Sequence, residues 1–294
     1  CAGFNQVATG TGTIQFVGLL TSSGAVTLDA TVVDLDGGIT TSAGGASGLI
    51  TLSASAADGV NIAVGTTITT TAALNSGTAS GGLTINNGGT GVVAILGNVV
   101  TTGAANNGGA GSAGGAVSIT TANGIVGVDA ITTTGGASSS GSHNGGAAGD
   151  VTINTGADVI TLNDNITAVG GTDSGSNTGG VGGAVTFSDL VTLGAGIAID
   201  SSGGVSTSGT DGDGGAIEFS STLAGGSNTL ALTAKGDTDG AVTFTGAVSG
   251  MGAVTLNDAA AVTVSSTFGC AGFNQVATGT GTIQFVGLLT SSGA

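Results

Sequence analysis

Paired carboxylates, one histidine, one duplicated cysteine and long files of threonine are the groups in this sequence that could do chemistry. Asp211-Gly212-Asp213 and Asp237-Thr238-Asp239 stand in successive repeats, each just ahead of a strand phrase, and Asp34-Leu35-Asp36 forms a third pair. Stacked carboxylates of this kind suit a hard cation such as Ca2+. Solvated turn residues use the same side chains, so both readings of Asp211, Asp213, Asp237 and Asp239 stand, and no other cofactor is expected. His143 lies in a Gly/Ser tract with no second His or Cys near it, which argues against a nitrogen-ligated metal. Cys1 and Cys270 share the same following residues and read as small buried apolar groups or as points of crosslinking to another chain. Cys1-Ala2-Gly3 also resembles a lipidated N-terminus, against which Cys270 has the same neighbours in mid-chain. Thr51, Thr84, Ser118, Thr152 and Thr186 form an outward file of hydroxyls, interrupted by Gln15 and Glu218. Solvent-facing strand formers explain that file; an ice-binding face would need flat pairs of threonines, and the richer runs at 69–71, 101–102 and 132–134 do not persist. Neither a Gly-x-Ser-x-Gly elbow nor a recurrent acid–base placement is present, so an enzyme is not expected.

These groups must be held by something, and composition narrows what. The 294 residues include 62 Gly, no Pro, one Lys or Arg and 17 acids, for a formal charge of -16. A Gly-, Ser- and Thr-rich chain could be disordered, but 39% hydrophobic residues is too apolar for a solvated coil. The strong negative charge with a single Lys argues against nucleic acid and anionic membrane surfaces as partners. No apolar run reaches the length that a transmembrane helix needs, about 18 residues or more. The scarcity of Lys and Arg removes tryptic sites, which suits life outside a cell. Beginning at Cys, the sequence reads as a processed or excerpted piece of something longer.

Two repeats are nested in it. Residues 270–294 copy residues 1–25 letter for letter, an offset of 269. Within that period a short phrase recurs: a small residue, an aliphatic, a polar residue, then a large apolar one. Its instances include Thr13-Ile14-Gln15-Phe16, Gly82-Leu83-Thr84-Ile85, Ala116-Val117-Ser118-Ile119, Ala184-Val185-Thr186-Phe187 and Ala241-Val242-Thr243-Phe244. Unequal steps between instances divide the period into eight minor repeats. Each minor repeat holds three runs of period-two alternation split by Gly, Asn and Asp, the mark of short strands. After the third run comes a Gly-rich tract, as at 103–115, 135–146 and 170–183, where glycine's freedom at positive φ would serve tight turns.

A three-strand repeat cannot bury its own apolar face, so the repeats must stack, each strand pairing in parallel with its counterpart one turn on. The expected fold is therefore an all-β, right-handed parallel β-helix, or β-solenoid, of about eight coils per period, with Gly-rich loops along one edge. Residues 1–269 form one period and 270–294 begin the next, in register. At about 4.8 Å per coil the period would rise about 38 Å. One core column would read Phe16, Leu52, Ile85, Ile119, Ile153, Phe187, Phe219, Phe244 and Phe285. A second would run from Val26/Leu28 through Val60/Ile62 and Ile160/Leu162 to Ile197/Ile199, Leu230/Leu232 and Val254/Leu256.

Neither end carries a polar cap, and an uncapped stack invites another copy. The Gly-Ala-Val-Thr-(Leu/Phe) phrase at 24–28, 240–244 and 252–256 resembles the strand repeats of giant repetitive bacterial surface proteins, the filamentous-haemagglutinin-like and autotransporter-like β-helical adhesins. That resemblance covers essentially the whole chain and implies a secreted, cell-surface β-helix, although the adhesins' N-terminal secretion domain has no counterpart here. The expected function is a structural module of an extracellular fibre whose partners are copies of itself, end to end and laterally. The alternatives are an adhesin stalk contacting a glycan or another cell through the loops around His143 and Asn177, and an ice-binding protein.

Overall fold

A computed structural model describes residues 2–7, 12–42, 47–55, 59–139, 142–276 and 281–291. These residues form strands, turns and extended segments without a helix, so none offers a helix long and apolar enough to cross a membrane. Every strand pairing among them is parallel, and the molecule is a parallel β-solenoid.

Each coil presents three faces. The first face is an eleven-stranded parallel sheet that starts at Phe4–Val7, Val26–Ala30 and Ile50–Ala54 and ends at Ala261–Val264 and Thr282–Phe285. The second face begins at Thr13–Phe16 and Val32–Leu35, and the third at Leu20–Ser22 and Ile39–Thr41. Near the C-terminal end the corner between the second and third faces disappears. Val248–Asp258 and Phe268–Gln275 run through it as single long strands, with a register shift between Val248 and Met251. Coils vary in length accordingly. A mid-stack turn runs from Val117 to Val151, whereas a turn near the C-terminal end is complete between Val242 and Val262.

The alternation read from the sequence is the alternation observed. Along Ile50–Ala54, Ile50, Leu52 and Ala54 are buried while Thr51 and Ser53 face out. The inward side chains form continuous columns that stay in contact from coil to coil. On the first face the column reads Leu28, Leu52, Ile85, Ile119, Ile153, Phe187, Phe219, Phe244, Val264 and Phe285. Phe187, Phe219 and Phe244 stack, with centroids 5.0 and 5.2 Å apart. Burying one such ring relative to leaving it exposed is worth about 1.5–3 kcal/mol, so this column is the axis of stability.

Several expectations need correcting. Phe16 is not in the first-face column: it pairs with Leu35 on the second face. Val26/Leu28 belongs to the first face, whereas Ile199, Leu232 and Leu256 lie on the third. An additional coil carrying Val264 lies between Phe244 and Phe285. Among the described residues the first sheet thus places ten strands within 1–269, where eight coils were expected. The cause is common to most of these: the small–aliphatic–polar–aliphatic phrase occurs on the first and second faces and also on the third at Ile197–Asp200, Leu230–Thr233 and residues 254–256. That phrase marks a strand but not the face it occupies.

The duplicate is likewise displaced. In the first copy Phe4–Val7, Thr13–Phe16 and Leu20–Ser22 occupy the first, second and third faces. In the second copy Phe273 and Gln275 pair with Val254 and Leu256 on the third face; Thr282–Phe285 lies on the first and Leu289–Ser291 on the second. The copies are out of register by one face.

Candidate functional site

The Gly-rich tracts stack in a row as expected, but they are not turns. Between the third face and the first, the chain runs out and back as two extended segments lying side by side, and successive coils pile these into a fin. In the coil around 133–149, Gly149 and Gly146 donate across to the carbonyls of Thr133 and Gly136, both at 2.8 Å. In the next coil Gly183 and Gly180 donate to Ala168 and Gly171, and in the next Gly215 and Gly212 donate to Ser201 and Gly204. Between coils, Gly135 donates to Val169, Gly145 to Thr178 and Ala148 to Val181. A third set runs diagonally: Gly136 to Ser112, Gly171 to Gly146 and Gly204 to Gly180. Bonding partners recur at every third position, the period of a polyproline II helix, whose backbone groups all point outward.

This lattice explains the glycines. A Cβ on Gly171 would stand 1.9 Å from the Gly136 carbonyl oxygen, and one on Gly180 would stand 1.8 Å from that of Gly146. Among the described residues the positive-φ glycines are Gly59, Gly65, Gly77, Gly156, Gly226 and Gly250, of which only Gly77 lies between the third face and the first. Close backbone approach, and not turn conformation, is what requires glycine at Gly171, Gly180 and their counterparts in neighbouring coils.

Two polar files hold the fin, and sequence reasoning identified neither. At its base the side chains of Thr41, Thr101, Thr133 and Ser201 are buried and donate to the carbonyls of Gly48, Gly115, Gly149 and Gly215, at 2.5 to 2.8 Å. Thr70 donates to Gly81 in the same way. Each bond closes a coil where the chain leaves the third face and rejoins the first. The available signal was the middle Thr of the runs at 69–71 and 132–134, which alternation points inward. At the crest Asn106, Ser138, Asp173 and Ser206 succeed one another through parallel bridges. Asp173 is 1% exposed and accepts from the amides of Gly175 (3.0 Å) and Asn177 (2.9 Å) and from the Ser206 hydroxyl (3.3 Å). An isolated acid in a Gly/Ser tract gives no sign in sequence that it will be buried.

The acids singled out as a cation site serve the backbone too. Asp211 accepts from the Ser206 amide at 2.8 Å, Asp213 from the Thr238 amide at 3.1 Å, and Asp239 from the Gly236 amide at 2.9 Å. Asp237 is exposed on the same turn, its amide bonded to Gly212. Among the described residues no three His, Cys, Asp or Glu side chains converge as a cation site would need. Asp34 and Asp36 are bridged by the Gln15 amide, and Asp34 also by Asn61. His143 is exposed at the crest.

Cys1 lies outside the described residues. Cys270 is buried, and burial pushes its thiol above the ordinary range, which disfavours the reactive thiolate. With Met251, Gly250, Gly269 and Thr290 it lines a cavity of about 200 Å3. The outward file on the first face runs in register from Thr27 to Thr263 and is broken by Glu218. Taken together, the hydroxyls and carboxylates are aimed mainly at backbone amides and carbonyls, and what they do chemically is hold the chain. No family model, no curated protein and no solved structure matches this chain.

Proposed function

We propose that the chain is a structural module of an extracellular fibre, a β-solenoid continued end to end by copies of itself. The carrying observation is the duplicate. The same stretch of sequence forms strands at both extremities of the stack, with the same internal packing. Phe4 and Phe16 meet edge to face at 5.6 Å and 76°, and their copies Phe273 and Phe285 at 5.5 Å and 75°. The outermost coils carry apolar side chains that a further coil would cover: Leu289 is 41% exposed, while its counterpart Leu20 is half-buried beneath Ile39. A net charge of -16 keeps such fibres solvated. The near absence of Lys and Arg, with backbone amides tied into ladders, resists proteolysis and suits a cell-surface location.

Cryo-electron microscopy of the native material tests this reading. The expected result is a continuous rod with a strand layer line near about 4.8 Å and a module repeat of about 46 Å, which is about 9⅔ coils at that spacing. Isolated short rods would refute it.

A further inference from the structure

The one-face displacement between the copies has a geometric consequence for an assembled fibre, resting on the tandem reading above. Thr13–Phe16 lies on the second face of the first coil, and its copy Thr282–Phe285 on the first face of the eleventh. The advance is ten coils less one face, or nine and two thirds turns per period. The other two strands of the copy agree: the Phe4 strand moves from the first face to the third, and the Leu20 strand from the third to the second. The Phe–Phe geometry inside the copy is the same at both ends, 5.6 Å and 76° against 5.5 Å and 75°. The difference is therefore a rotation of the unit and not a change within it.

We infer that successive periods are rotated by one face, so that the glycine fin projects from a different corner in each period and returns to the same corner only after three. Three periods then span 29 whole turns, about 139 Å at a rise of about 4.8 Å. The slip is tolerable because near the junction the third face also offers paired aliphatic side chains inward, at Leu230/Leu232 and Val254/Leu256, as the first face does at Val242/Phe244. At the junction no fin has to be carried through. There the coils are short, running from Val242 to Val262 and from Val262 to Ile283, and single strands bridge the second and third faces. A fin along one edge would let filaments contact each other on one side. Fins at three corners present the same surface in three directions, which fits lateral association with further copies into a bundle.

The test is cryo-electron microscopy of a chain of three consecutive periods, with the fins located on the reconstructed rod. The expected result is three fins about 46 Å apart along the axis, each at a different one of three azimuths. A continuous rod with its fins in a single row overturns the rotation and leaves the tandem solenoid standing. Failure to form a continuous rod overturns both.

Discussion

Phe219 in the shaft and Gly171 in the fin occupy comparable sites: each is enclosed by its counterparts in the coils before and after. Phe219 is held by rings stacked at 5.0 and 5.2 Å, inside a file of apolar side chains running the length of the solenoid. Gly171 has no side chain. It donates to Gly146, accepts from Gly180, and lies so near Gly136 that a single Cβ could not be added. One region is ordered by water leaving apolar surface and the other by saturated backbone hydrogen bonding at close range. The two therefore tolerate opposite changes. The shaft loses stability when atoms are removed, and the fin when they are added.

That contrast can be broken at single residues. The largest effect is expected from Gly171→Ala combined with Gly180→Ala, which would set Cβ atoms 1.9 and 1.8 Å from carbonyl oxygens. A cost above about 4 kcal/mol places this among the exceptional substitutions. Hydrogen exchange should show protection lost across 135–149 and 170–183 while strands such as Val151–Asn154 keep theirs. If both regions lose protection together, the fin and the shaft are one cooperative unit. Phe219→Ala should cost about 3–5 kcal/mol through the cavity it leaves, read as a lower denaturation midpoint with the exchange loss centred on the shaft.

The polar base of the fin comes next. Thr133→Val leaves the Gly149 carbonyl without its buried donor and should cost about 1–3 kcal/mol, with Thr101→Val similar. Exchange of the fin amides, and not of the strands, is the readout. Cys270 should react with a thiol reagent only slowly in the folded protein at mildly alkaline pH. Burial raises its pKa, so the thiolate fraction there is depressed and recovers on unfolding or at higher pH. Fast labelling of the native chain would show that this corner opens. Thr152→Ser, on the outward file, should change stability by no more than about 0.5 kcal/mol.

Particular residues show how much was legible beforehand. Val117/Ile119 and Val151/Ile153 appear in the sequence as inward pairs in parallel register, and so they are. Period-two alternation is a local property of the chain, and one buried face decides its register. Phe16 reads as a member of the wrong column because its phrase is the same as that of the first-face strands. Nothing local separates the first face from the second, whereas many third-face strands end in an inward Thr or Ser. The Gly-rich tracts could be placed, since they recur after each third strand, but glycine permits both a turn and a close approach. Its role in the fin depended on which backbone lay alongside. Ala104 and Ser112 make the point: they hold the positions that Gly136 and Gly146 hold one coil later, at the level where the fin begins.

The strands, their alternation, the stacking into a parallel solenoid and the recurrence of residues 1–25 at 270–294 were all readable from the residues alone. Those follow from side-chain polarity at short range and from the literal copy at 270–294. Only the tertiary structure decided which face each strand takes, that the carboxylates of Asp173 and Asp211 cap backbone amides, and that the glycine tracts form a hydrogen-bonded fin. It also decided the one-face displacement of the copied stretch. Each of these depends on how many residues fill each whole turn and on neighbours far away along the chain, and no local pattern carries that sum.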